Sequence, residues 1–87
     1  MTNREKLADE GYEESVVFEN PDYDNAIVGV TDDGRVVYDF DKMVEHLMAV
    51  DGMALDEAVE FIEYNAVRAL PYAGEKAPII MFALENL

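Results

Sequence analysis

The tripeptide Asp32-Asp33-Gly34 constrains this chain more than any other feature, because it separates two β-prone runs, Ala26 to Thr31 and Arg35 to Asp39, by the length of a tight loop. Glycine enters the left-handed backbone region without a Cβ clash, and a short loop with a bulge needs one residue there. The reading is a β-hairpin, with Ala26, Val28 and Val30 on one face of the first strand and Val36 and Tyr38 on one face of the second. At Asp39 the apolar period changes from 2 to 3.6. Met43, Val44, Leu47 and Val50, with Met48 at the margin, fall on one side of a helix, Lys42, Glu45 and Ala49 fall opposite, and Asp39 or Asp41 is the N-cap candidate. Gly52 is a natural stop. A second helix is expected from about Ala54 to Leu70, with Leu55, Ala58, Val59, Ile62, Ala66, Ala69 and Leu70 in one stripe and Pro71 and Gly74 ending it.

Two further apolar runs complete the sheet. Val16 to Phe18, bounded by Asn20-Pro21-Asp22, reads as a first strand, and Pro78 to Leu84 reads as a last strand, central in the sheet. Thr2-Asn3-Arg4-Glu5 matches a capping box, so residues 1–14 are an amino-terminal segment, either a short helix or disordered. The expectation is one α+β domain over residues 15–87: a small antiparallel sheet of three to four strands with a pair of helices packed on one face. A chain of 87 residues buries about 64% of its unfolded surface, enough for one core and not two.

Charge narrows the partners. Twenty Asp and Glu face 6 Lys and Arg, a formal charge of −14, although 51% of the residues are hydrophobic. Low hydrophobicity with this charge would mean disorder, whereas half the chain is free to build a core. Nucleic acid and anionic membranes attract Lys and Arg, so neither is expected as a direct partner. The longest charge-free apolar run, Ala77 to Leu84, is 8 residues, short of the ~20 that span a bilayer. The charged first ten residues offer no signal-peptide core, and the absence of cysteine fits a cytoplasmic setting.

The inventory for chemistry is thin. His46 is the only histidine, cysteine is absent, and the spacing of Ser15, His46 and the acids does not mark a triad. Glycines are scattered singly, so no phosphate loop is expected. Asn20, Asp22 and Asp24 stand at positions 1, 3 and 5 of an EF-hand register, which then fails at Asn25 and Thr31. No catalytic residue, cofactor or dedicated metal site is expected.

The acids are placed unevenly. Asp9 to Asp24 holds seven acids and no base, the hairpin tip adds Asp32 and Asp33, and Asp56, Glu57, Glu60 and Glu63 cluster on the second helix. Such like charges repel and weaken folding. Either they imitate a phosphate array for a basic partner, or they keep a small protein soluble. Tyr23 and Tyr64 lie among them as candidate aromatic anchors. The candidate partner-binding set is therefore Glu13, Glu14, Glu19, Asp22, Tyr23, Asp24, Asp32, Asp33, Asp56, Glu57, Glu60, Glu63 and Tyr64. Charge reversal at Glu13, Glu14, Asp22 and Asp24 is expected to cost far more affinity than folding stability.

Phe40-Asp41-Lys42-Met43-Val44-Glu45-His46-Leu47, Asp51-Gly52-Met53, Glu63 to Tyr72 and Gly74 to Ile80 together resemble small acidic proteins of bacterial prophages and mobile elements. The resemblance covers residues 40–80. It implies the cytoplasm of a bacterial host and the company of anti-CRISPR-type inhibitors that mimic DNA, and it carries over no site residue. The expected function is that of a non-enzymatic acidic inhibitor occupying the nucleic-acid-binding surface of a host defence complex such as a CRISPR effector. The alternative is a small structural or regulatory module, with a homodimer as one form, whose acidity serves only solubility.

Overall fold

A computed structural model describes residues 2–12, 14–19 and 21–87. In chain order the elements are α1 (Asn3–Asp9), β1 (Ile27–Val30), β2 (Val36–Asp39), α2 (Phe40–Val50), α3 (Leu55–Asn65) and β3 (Ile79–Met81). Short 3₁₀ turns lie at Asp24–Ala26, Val67–Tyr72 and Leu84–Asn86. The class is α+β, and the sheet is small, with strand order β1-β2-β3.

The hairpin forms where the turn chemistry places it, with Gly34 at φ +85°. Its faces differ from simple alternation. Ile27 opposes Tyr38, Gly29 opposes Val37 and Val30 opposes Val36, so β1 carries one extra residue, Val28. That bulge rotates Ile27 into the core beside Tyr38 and leaves Val28 43% exposed, the reverse of the expected phase.

The sheet is mixed, because β3 runs parallel to β2, with Val37 opposite Ile79 and Asp39 opposite Met81. Asp39 ends β2 and also caps α2, so no loop lets the chain double back. The chain crosses through α2 and α3 instead, and a strand that returns after a helical crossover can pair in parallel. β3 lies at the sheet edge, where a central position was expected. Val16 to Phe18 is not a strand. The Phe18 amide donates to the Tyr38 hydroxyl at 3.0 Å and the Ser15 hydroxyl donates to the Gly34 carbonyl at 2.7 Å, so side chains take the bonds that a neighbouring strand would supply.

Asp39 accepts from the amides of Asp41 (2.9 Å) and Lys42 (3.3 Å), while Gly52 at φ +66° follows the end of α2. α3 stops at Asn65, five residues before the expected end at Leu70. The Asn65 side chain donates to the Phe61 carbonyl, and the Pro71 ring would strike the Val67 carbonyl in a continued α-helix, so the chain tightens into a 3₁₀ turn. α2 packs on β2 and on α3. Met43, Leu47, Ile62, Val36 and Tyr38 are fully buried in one cluster that joins sheet and helices. Each large apolar side chain there contributes about 1.5–3 kcal/mol by leaving water. Val50 and Leu55, expected in the helix stripes, are 67% and 61% exposed on either side of the turn between the helices.

Candidate partner-binding surface

Several acids of the amino-terminal half serve the fold. Asp24 accepts from the Asn3 amide at 3.1 Å and the Arg4 amide at 3.0 Å, meeting donors that the first turn of α1 leaves unpaired. The Asn3 side chain returns a bond to the Asp24 carbonyl at 2.8 Å. The Thr2 hydroxyl accepts from the Glu5 amide and the Glu5 carboxylate reaches back to Thr2, so the capping box forms and α1 docks through its own start. Asp22 accepts from the Asp24 amide at 3.1 Å, forming an Asx turn around Tyr23, whose backbone is left-handed at φ +49°.

Tyr23 is 2% exposed. Its ring meets Phe18 at 5.8 Å and His46 at 5.5 Å, and its hydroxyl has no hydrogen-bond partner among the described residues. Burial, and then the Asp51 charge, push its phenol up to about 12. Tyr23 is a core residue and not an exposed anchor. Asp22 and Asp24 likewise cannot be reversed without disturbing the turn and the seat of α1, so charge reversal there carries a cost in folding stability alongside any loss of affinity.

Other candidates are divided. Glu13 lies outside the described residues, as does Asn20 of the EF-hand register. Glu14 and Glu19 are exposed, and Glu19 pairs with Arg4 at 3.5 Å, the only ion pair among the described residues. At the hairpin tip the Thr31 hydroxyl donates to the Asp33 carboxylate, and that bond, aided by Lys76 and Arg35, holds the Asp33 carboxyl below its usual range. Lys76 donates to the Asp33 carbonyl and Arg35 to the Ala77 carbonyl at 2.8 Å, which ties the tip to the chain entering β3. Asp32 is exposed beside it.

α3 gathers the remaining acids. Asp56, Glu57, Glu60 and Glu63 are all exposed, and none forms an ion pair among the described residues. Asp56 accepts from the Glu57 amide and Glu57 from the Ala54 amide, so two of the four also support the helix start, while Glu60 and Glu63 accept no hydrogen bond from the described residues. Tyr64 is 56% exposed, with the Arg68 guanidinium 4.4 Å from its ring centroid. Phe61 packs partly against the core.

Leu55 and Val59 lie beside these carboxylates. Their helical spacing assigns both to the core stripe, so nothing in the sequence marked their place on the acidic face. Among the described residues no group of three or more His, Cys, Asp and Glu could hold a metal ion, and no helix is long and apolar enough to cross a membrane. Searches against protein-family models, curated proteins and solved structures find no match to this chain.

Proposed function

We propose that this is a non-enzymatic acidic binding protein that occupies a basic, nucleic-acid-handling surface of a partner, using α3 as its principal contact. One observation carries the reading. The four carboxylates from Asp56 to Glu63 span about 10.5 Å of helix axis at 1.5 Å per residue, or about 3.5 Å per charge, against about 3.4 Å per charge along one DNA strand. Among the described residues no Lys or Arg pairs with them, so their field is open to a cationic partner. The placement of Ser15 and His46 supports a non-catalytic reading, since Ser15 bonds to Gly34 and His46 packs on Tyr23.

The resemblance to small acidic proteins of mobile elements directs the test to a bacterial lysate and to CRISPR effectors within it. Immobilised protein should retain nucleic-acid-binding proteins that duplex DNA and raised salt both release, and the variant Asp56→Asn/Glu57→Gln/Glu60→Gln/Glu63→Gln should lose them. Retention indifferent to DNA and salt would sink the mimicry. A second reading draws on the carboxyl-terminal face, where Phe82, Leu84 and Leu87 are 56%, 86% and 84% exposed beside the edge strand β3. There the acids serve solubility and the chain self-associates, so sedimentation would show a dimer that survives the α3 substitutions.

A further inference from the structure

The outer face of α3 carries an apolar element that phosphate imitation does not use. Leu55 is 61% exposed and Val59 is half-buried, one helical turn apart, and both line a shallow depression with Asp56, Glu60 and Glu63. At about 100° per residue these five side chains fall in an arc of about 140°, with the apolar pair toward the core and the three carboxylates toward solvent. Val50, at the end of α2 and across the turn from α3, is 67% exposed. A leucine in water contributes no burial energy, and carboxylates three and four residues apart repel. One occupant relieves both costs, a surface with an apolar row flanked by a cationic row.

We propose that this face docks a basic amphipathic helix of a partner protein, its apolar stripe on Leu55 and Val59 and its Lys or Arg row against Asp56, Glu60 and Glu63. The proposal rests on the acidic-binding reading and names what the partner presents. A helix meets the requirement because residues at i, i+3 and i+4 form adjacent rows of different chemistry on one side. An extended strand sends alternate residues to opposite faces and cannot set the two rows side by side. A second copy of this chain brings the same carboxylates and is repelled.

The test uses the full chain, isotope-labelled for NMR, and two synthetic helical peptides of about 18 residues, or five turns. Both carry the same Lys row, one with a Leu stripe and the other with an Ala stripe. At physiological salt the Leu peptide should shift amides across residues 55–63 and bind about tenfold more tightly than the Ala peptide, a difference of about 1.4 kcal/mol. Leu55→Gln should abolish most of that preference, with core resonances unmoved because Leu55 is exposed. Equal binding of the two peptides, or shifts centred on residues 14–24, would overturn the docking site. The two readings separate on a partner captured from lysate. If Leu55→Gln leaves a DNA-released partner bound as before, the docking proposal fails and the mimicry stands. If the Leu peptide seats on residues 55–63 but DNA releases no captured partner, the mimicry alone fails.

Discussion

The segment from Glu14 to Asp24 and the outer face of α3 are both rich in acids, yet their carboxylates do opposite work. In the first, Asp22 and Asp24 accept three backbone amides between them, and the chain around them is anchored by the buried ring of Tyr23 and the partly buried ring of Phe18. In the second, Glu60 and Glu63 stand in solvent and bond to no side chain or amide among the described residues. A short acidic side chain next to a turn finds unpaired amides at hand, whereas one beyond the first turn of a helix finds every amide already used. Net charge therefore overstates the available binding surface, because part of it is spent inside the fold.

The largest expected effect breaks this comparison on the binding side. Replacing Asp56, Glu60 and Glu63 by their amides should weaken binding to a basic, DNA-released partner by about 100-fold, or about 2.7 kcal/mol, with no loss of thermal stability. Neutralising Glu14 and Glu19 should matter much less. Equal losses from both sets would mean that total charge, and not the α3 array, steers association.

The next effects fall on stability. Asp24→Ala strips two amides of α1 of their acceptor and should cost about 1–2 kcal/mol, with hydrogen exchange accelerating first in α1. Asp39→Ala, which uncaps α2, should cost a similar amount but loosen α2 instead. If Asp24→Ala unfolds like the α3 variants, the distinction between spent and free carboxylates is lost.

The two buried tyrosines sharpen it further. Tyr38→Phe leaves the Phe18 amide without an acceptor and should cost about 1–1.5 kcal/mol. Tyr23→Phe removes a hydroxyl that has no partner among the described residues and should be neutral or stabilise by up to about 1 kcal/mol. Because the Tyr23 phenol is raised from 10 to about 12, the folded state holds that proton longer than the unfolded state does. Its contribution is complete below pH 10 and is lost as pH rises toward 12, and burial shifts Tyr38 in the same direction. Unfolding followed across that window should show a steeper loss in the natural chain than in Tyr23→Phe.

These side chains also show why part of the fold was legible and part was not. The hairpin turn, the Asp39 cap, the Gly52 stop and the Thr2–Glu5 box are local signals, each resolved by residues within a few positions of one another. The strand expected at Val16 to Phe18 fails on a contact 20 residues away, where the Tyr38 hydroxyl captures the Phe18 amide. The parallel pairing of β3 likewise depends on Asp39 serving two elements at once. Among the candidate acids, composition marked Asp22, Asp24, Glu60 and Glu63 alike, and only the fold separates those that meet amides from those that do not.

The smallest effect tests whether the free acids carry a cost. Glu60 stands four residues from Asp56 and three from both Glu57 and Glu63, and like-charged pairs at these spacings destabilise a helix by about 0.2–0.5 kcal/mol each. Asp56 and Glu57 recover part of this by lying in the first turn, where the helix dipole favours a negative charge, but Glu60 and Glu63 lie beyond it. Glu60→Gln should therefore stabilise the chain by about 0.5–1 kcal/mol in low salt, whereas Asp24→Asn should destabilise it. Raised salt screens the repulsion and should erase the first gain without restoring the second loss. If Glu60→Gln gains nothing at low salt, the α3 carboxylates coexist without strain, and repulsion would no longer require a partner to explain their retention.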